Sequence, residues 1–92
     1  MSVTAVPGFV AGGAACGIKP SGAPDLAMVA TEDRVAVPAA SVFTTNLAQA
    51  APVQISRRHL ADGRAAAVIA NSGNANAATG EAGRRDALSM CE

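Results

Sequence analysis

Ala65-Ala66-Ala67-Val68-Ile69-Ala70-Asn71-Ser72-Gly73-Asn74-Ala75-Asn76-Ala77-Ala78-Thr79-Gly80 is the stretch that decides how this chain is read. Ala65 to Ala70 is a short apolar run centred on Val68 and Ile69, and it predicts a buried strand. The loop after it holds Asn71, Asn74 and Asn76 around Gly73. Asn tolerates left-handed backbone and hydrogen-bonds neighbouring main chain, so the loop is expected to be rigid. A helix is predicted from Thr79. It carries Glu81 in the first turn, where the helix dipole favours a carboxylate, and Ala87, Leu88 and Cys91 on its inner face. Strand, loop and helix in this order predict an α/β layered fold.

Ligands in α/β sheets often bind at the carboxyl ends of strands. Asn71, Ser72, Gly73 and Asn74 are therefore the candidate site residues. They either line a pocket or form a locked loop that supports something else, and the residues alone leave both readings open.

Outward from this stretch, Asp62-Gly63 reads as a turn. Pro52 argues against a continuous helix over residues 47–62. Val53 to Ile55 is instead expected as a strand, with Ser56 capping a short helix from Arg57 to Ala61. Val35 to Thr45 leans toward strand, and Pro38 within it implies an edge, a bulge or a break. Leu26 to Thr31 reads as a strand, followed by Glu32-Asp33-Arg34 as a charged, hairpin-like connection. Lys19-Pro20-Ser21-Gly22, with Pro24 and Asp25 close behind, is a turn signal. The glycines at 8, 12, 13 and 17 disfavour a helix over residues 5–18 and suit a strand or loop.

Composition limits the core. Half of the 92 residues are apolar, but 23 of them are Ala, and Phe9 and Phe43 are the only aromatics. Ala adds little buried area, so the core expected of this chain alone is thin. The sparse, balanced charge argues against disorder. It suits a layer of a larger domain, close-packed through Ala and Gly. A net charge of zero, with no basic stripe and no aromatic set for stacking bases, excludes a nucleic-acid partner. Arg57-Arg58 and Arg84-Arg85 read as solvated helix faces. No stretch approaches a membrane span. Residues 1–18 lack charge, but Pro7 and the glycines break any signal-peptide core. Cys16 and Cys91 form no CxxC pattern and are expected as reduced thiols. The protein is read as cytoplasmic, with no membrane partner, no metal site and no cofactor.

Two motifs fail on inspection. Gly12 and Gly17 have P-loop spacing, but Ile18 follows Gly17, Lys19 comes one position late, and Pro20 replaces the magnesium-binding hydroxyl. Ser72 lacks the flanking glycines of a nucleophile elbow, and the only His, His59, sits beside two arginines. Ser72 is read as a loop serine bonded to its own backbone. Lys19 reads as a solvated turn lysine, and Asp25 as its partner or as the cap of the turn.

Read in order, several segments resemble the start of ornithine acetyltransferases. They are Gly8-Phe9, Cys16-Gly17-Ile18-Lys19 through Ser21-Gly22, Pro24-Asp25-Leu26-Ala27-Met28-Val29, Val42-Phe43-Thr44-Thr45-Asn46 and Ala50-Ala51-Pro52-Val53. The most specific is Asn71 to Gly80, followed by Gly83. Ala78, where the family often has Cys, the Gly12-Gly13 pair and Leu47-Ala48-Gln49 depart from the pattern.

The resemblance implies an αββα sandwich of the self-cleaving type, with residues 1–92 as the N-terminal portion of its first (α) subunit and no internal boundary. It implies acetyl transfer from N-acetylornithine to glutamate in arginine biosynthesis, with acetyl-CoA as donor in some members. The precursor cuts before an internal Thr, which becomes the nucleophile of the second (β) subunit, with its own amine as base. A Thr-Gly pair stabilises the oxyanion, and α and β chains assemble as a hetero-oligomer. All of these residues lie beyond the matched stretch, so no position here inherits a catalytic label. The last helix lacks a C-cap signal, which agrees with a truncated, inactive piece. A non-catalytic binding or scaffold remnant is the alternative, and an amidohydrolase with the same self-cleaving chemistry is a third reading.

Overall fold

The computed structural model describes residues 5–92, and the chain divides into two compact units. The first unit reaches to Val37 and resumes over Ala65–Asn74. It is built on a three-stranded antiparallel sheet of β1 (Phe9–Ala14), β2 (Leu26–Thr31) and, in the numbering that follows, β5 (Ala67–Asn71), in the order β1-β2-β5. Of the Gly-rich segment over residues 5–18, expected as strand or loop, Phe9–Ala14 is the strand. Gly13 shows why small residues are needed there, since a Cβ on it would meet the Leu26 carbonyl oxygen of the neighbouring strand at 3.3 Å.

The register sorts the sheet's side chains onto two faces. Ala11, Val29 and Val68 lie across from one another, with Phe9 opposite Thr31. The other face aligns Val10 with Ala30 and Ala67, and Gly12 with Met28 and Ile69. Neither set contains a charged residue, the pattern of a sheet that is covered on both sides. In this chain those faces are open: Val10, Met28 and Val68 are all exposed, Val68 by 66%. The strand expected over Ala65 to Ala70 is therefore present, but it is not buried. Among the described residues of the unit the buried ones are polar, Asp25 and Thr31. The Thr31 hydroxyl donates to the Val35 carbonyl at 3.0 Å, closing the turn expected at Glu32-Asp33-Arg34. That turn does not lead into a hairpin. β3 (Val37–Pro38) pairs instead with β4 (Arg64–Ala65).

The second unit holds two helices, α1 (Ala51–His59) and α2 (Gly80–Met90), which pack on each other. Its core is Ala51, Ile55 and Ala87, as thin as the composition implies. α1 corrects the sequence reading of Val53 to Ile55 as a strand and of Ser56 as a cap. Pro52 falls in the first helical turn, where no intrahelical partner awaits its missing N–H and its fixed φ suits the helix. The helix therefore begins around Pro52 rather than being broken by it. Val35 to Thr45 is likewise strand only at Val37–Pro38, and the rest is irregular. Val42 there is 95% exposed, so no second layer rewards its β propensity.

α2 starts at Gly80 with Thr79 in the N-cap position and Glu81 in its first turn, close to the expected start. Its inner face is Gly83 and Ala87. Leu88 and Cys91 are exposed and do not belong to it.

Candidate functional site

The turn at residues 16–19 is shaped by a single carboxylate. Both oxygens of Asp25 accept main-chain N–H groups: Cys16 at 2.8 Å on one, Ile18 at 2.8 Å and Lys19 at 3.0 Å on the other. Gly17 makes this possible with φ +90°, a backbone that turns successive amides to one side. The Cys16 amide and thiol, the Lys19 amide and the Ile18 amide all favour the charged form. They hold the Asp25 carboxyl far below the usual carboxylate range, overcoming its burial. The same hydrogen bond and negative charge push the Cys16 thiol up.

Asp25 thus caps the turn, one of the two roles read from the sequence. It binds the Lys19 main chain and not its ammonium. The glycine spacing that mimics a P-loop gathers amides for an internal anion.

Asp25 also reaches the Asn-rich loop. Its N–H donates to the Ala14 carbonyl at 3.1 Å, and its carbonyl accepts the Ser72 N–H at 2.9 Å. Ser72 is therefore tied through its main chain to Asp25, and its side chain is exposed. Gly73 has φ +97°, and a Cβ there would come within 2.9 Å of the Lys19 Cγ and 3.2 Å of the Ile18 Cγ2. The Lys19 stem lies across Gly73, so the lysine is half-covered and not a freely solvated turn residue. Asn71 donates from Nδ2 to the Asn74 carbonyl at 2.8 Å. The candidate residues Asn71, Ser72, Gly73 and Asn74 are thus together in one unit, in a loop locked by its own amide and by the turn beneath it.

The downstream half of the loop is locked separately, in the second unit. Asn76 has φ +52°, which Asn tolerates better than most residues. Its Nδ2 donates to the Gly83 carbonyl at 2.7 Å, and its carbonyl accepts the Ala51 N–H at 3.2 Å. The Thr79 hydroxyl donates to Asn76. A Cβ on Gly83 would collide with the Thr79 hydroxyl and the Asn76 amide oxygen. Asn76, Thr79 and Gly83 are one constellation, and the sequence reading named all three without seeing that they touch. The i,i+4 spacing of Thr79 and Gly83 on one helical turn was the available signal.

Beside it lies a cleft of about 140 Å³ lined by Gln49, Ala51, Gln54, Ala78, Thr79, Gly80 and Arg84. Arg84 is engaged by Glu81 at 2.8 Å, and that bond lowers the Glu81 carboxyl. The candidate loop residues do not line this cleft. Cys16 and Cys91 are both free and belong to different units. Ser72 and His59 also belong to different units. Among the described residues no three His, Cys, Asp or Glu side chains gather to hold a metal, and no helix is long and apolar enough to cross a membrane.

Solved structures define the class to which this architecture belongs. The chain matches a crystal structure of ornithine acetyltransferase from Mycobacterium tuberculosis, complexed with ornithine, with TM-score 0.91 and 52% identity over 98% of its own length and 46% of that chain. It matches the arginine biosynthesis bifunctional protein ArgJ of Bacillus halodurans with TM-score 0.87 and 40% identity, again over 98% and 46%. The fold is α/β, an incomplete part of that sandwich. The ArgJ family matches over residues 10–92, and the chain belongs to that family. Among curated relatives, the arginine biosynthesis bifunctional protein ArgJ of Gloeobacter violaceus is 55% identical over 91 residues, and that of Mycobacterium leprae is 53% identical over 90. Each alignment covers 98% of this chain but only 22% of the relative. The chain spans about a fifth of the length of the curated relatives it matches.

Proposed function

We propose that this chain is the N-terminal part of a first subunit in an enzyme that moves an acetyl group from N-acetylornithine to glutamate in arginine biosynthesis. What carries the reading is identity of 52% along nearly the whole chain to an ornithine acetyltransferase crystallised with ornithine, at TM-score 0.91. The names of the relatives, arginine biosynthesis bifunctional proteins, support it. "Bifunctional" fits acetyl-CoA as a further donor.

In this reading an internal Thr beyond residue 92, freed by self-cleavage, attacks the acetamide carbonyl of N-acetylornithine. The C–N bond breaks, ornithine leaves with a proton, and the acetyl group rests as an ester on the Thr oxygen. The glutamate amine then takes the acetyl and returns the hydroxyl. The chemistry needs no metal or cofactor, and it belongs in the cytoplasm with amino-acid synthesis. Subunits α and β of one precursor would assemble around it.

Asn71, Ser72, Gly73 and Asn74 act here as a support loop. The Asn71–Asn74 bond and the Lys19 stem over Gly73 favour that role over pocket lining.

The test is the reading frame past the Glu92 codon, with the intact mass of the expressed product. The proposal expects a Thr-Gly loop, an Ala-Thr cleavage point and two chains in the purified protein. A frame that stops without them, or a product that is never cut, removes the acetyltransferase reading and leaves a scaffold.

A further inference from the structure

The amides of Cys16, Ile18 and Lys19 form an arrangement that proteins ordinarily use for free anions. They converge on two oxygens within 2.8–3.0 Å, around a glycine at φ +90°. The group they hold is 3% exposed, and the donors on its two oxygens are the main-chain N–H groups of Cys16, Ile18 and Lys19. The backbone of Asp25 is fixed independently, by Ala14 on one side and Ser72 on the other. The receptor and its occupant are therefore separable: removing the carboxylate does not remove the strands that frame the amides.

We propose that Cys16–Lys19 is a carboxylate-receptor nest, filled in the native chain by Asp25 and open to a small free carboxylate such as formate once the Asp25 side chain is removed. The nest acts as a charge-dependent clasp. It fixes the turn that lays the Lys19 stem on Gly73 and so braces the Asn-rich loop. It stands on geometry alone and is independent of the acetyl-transfer reading. The two oxygens of formate match the two that the amides now grip. A nucleotide phosphate is a poorer occupant, because Pro20 contributes no amide to extend the cradle.

The experiment uses the full-length protein with Asp25→Gly and Asp25→Asn. Melting temperature is read in sodium formate and in sodium chloride at matched ionic strength. Asp25→Gly melts below the native protein in chloride. Formate raises it by several degrees more than chloride, increasingly with concentration, as a ligand of the folded state does. Asp25→Asn, whose amide still fills the nest, melts lower than the native protein and gains nothing specific from formate. Equal shifts in formate and chloride for Asp25→Gly overturn the proposal, as does a formate response of the same size in Asp25→Asn. If Asp25→Gly does not fold in chloride, the reading is recovery of folded protein on transfer into formate. Recovery supports the nest, and its absence contradicts it.

Discussion

Gly83 sits where the downstream half of the Asn-rich loop meets α2, and only a hydrogen fits there. A methyl group would displace the Thr79 hydroxyl and the Asn76 amide together, breaking the bond from Asn76 to the Gly83 carbonyl. Gly83→Ala should therefore destabilise, although Ala is the better helix former by about 1 kcal/mol. Overpacking of this kind costs about 1–3 kcal/mol, enough to reverse the propensity gain. Urea denaturation should show a lower midpoint for Gly83→Ala, with part of the loss recovered in Gly83→Ala/Thr79→Ala, where the hydroxyl is gone. Asp25 shows the opposite use of a small space. A carboxylate is buried without a cation because three amides arrive already oriented, and charge-assisted bonds of this type are stronger than neutral ones. Both residues look unremarkable by type. Their roles follow from partners four to nine residues away in the chain.

At the scale of elements, the sequence was most readable where periodicity and punctuation agreed. Leu26 to Thr31 is the strand its residues indicate, and the helix after Thr79 begins within a residue of its signal. The Gly-rich segment was legible as non-helical for a sound reason, close backbone approach at Gly13. α1 departs from the expectation because Pro52 reads as an interior breaker in the sequence but lies in the first helical turn. The missing clue was a cap, since Ala50 offers no side-chain bond to the helix start. The inner face of α2 includes Ala87 as its sequence indicates, but Gly83 completes it in place of Leu88 and Cys91, because a small residue makes the contact that hydrophobicity alone assigns to Leu88. Of the candidate site, the Asn-rich loop was visible from composition. Its anchoring on Asp25 was not, because a main-chain receptor leaves almost no trace beyond one glycine. The position of Pro52 can be tested directly. Pro52→Ala should change stability by no more than ~0.5 kcal/mol, since no helical hydrogen bond is restored. Gln54→Pro should cost about 3 kcal/mol or more, since its N–H bonds the Ala50 carbonyl. Similar losses for the two variants in thermal or urea melts would show that the helix does not start at Ala51.

At the scale of the whole molecule, the central observation is a sheet with two apolar faces and almost no core of its own. Val10, Met28 and Val68 are exposed, and the buried apolar set is Ala51, Ile55 and Ala87. The composition foretold this: Ala and Gly build close-packed layers, but they bury too little surface to stand alone. The chain spans about a fifth of the length of its curated relatives. The proposed activity therefore belongs to the complete enzyme, and the measurement that tests it most directly is acetyl transfer by the full-length gene product. Purified protein is incubated with N-acetylornithine and glutamate, without acetyl-CoA, and both products are quantified. N-acetylglutamate and ornithine are expected in equal amounts. Release of free acetate with no N-acetylglutamate, or no turnover by a folded and correctly cleaved protein, would contradict it.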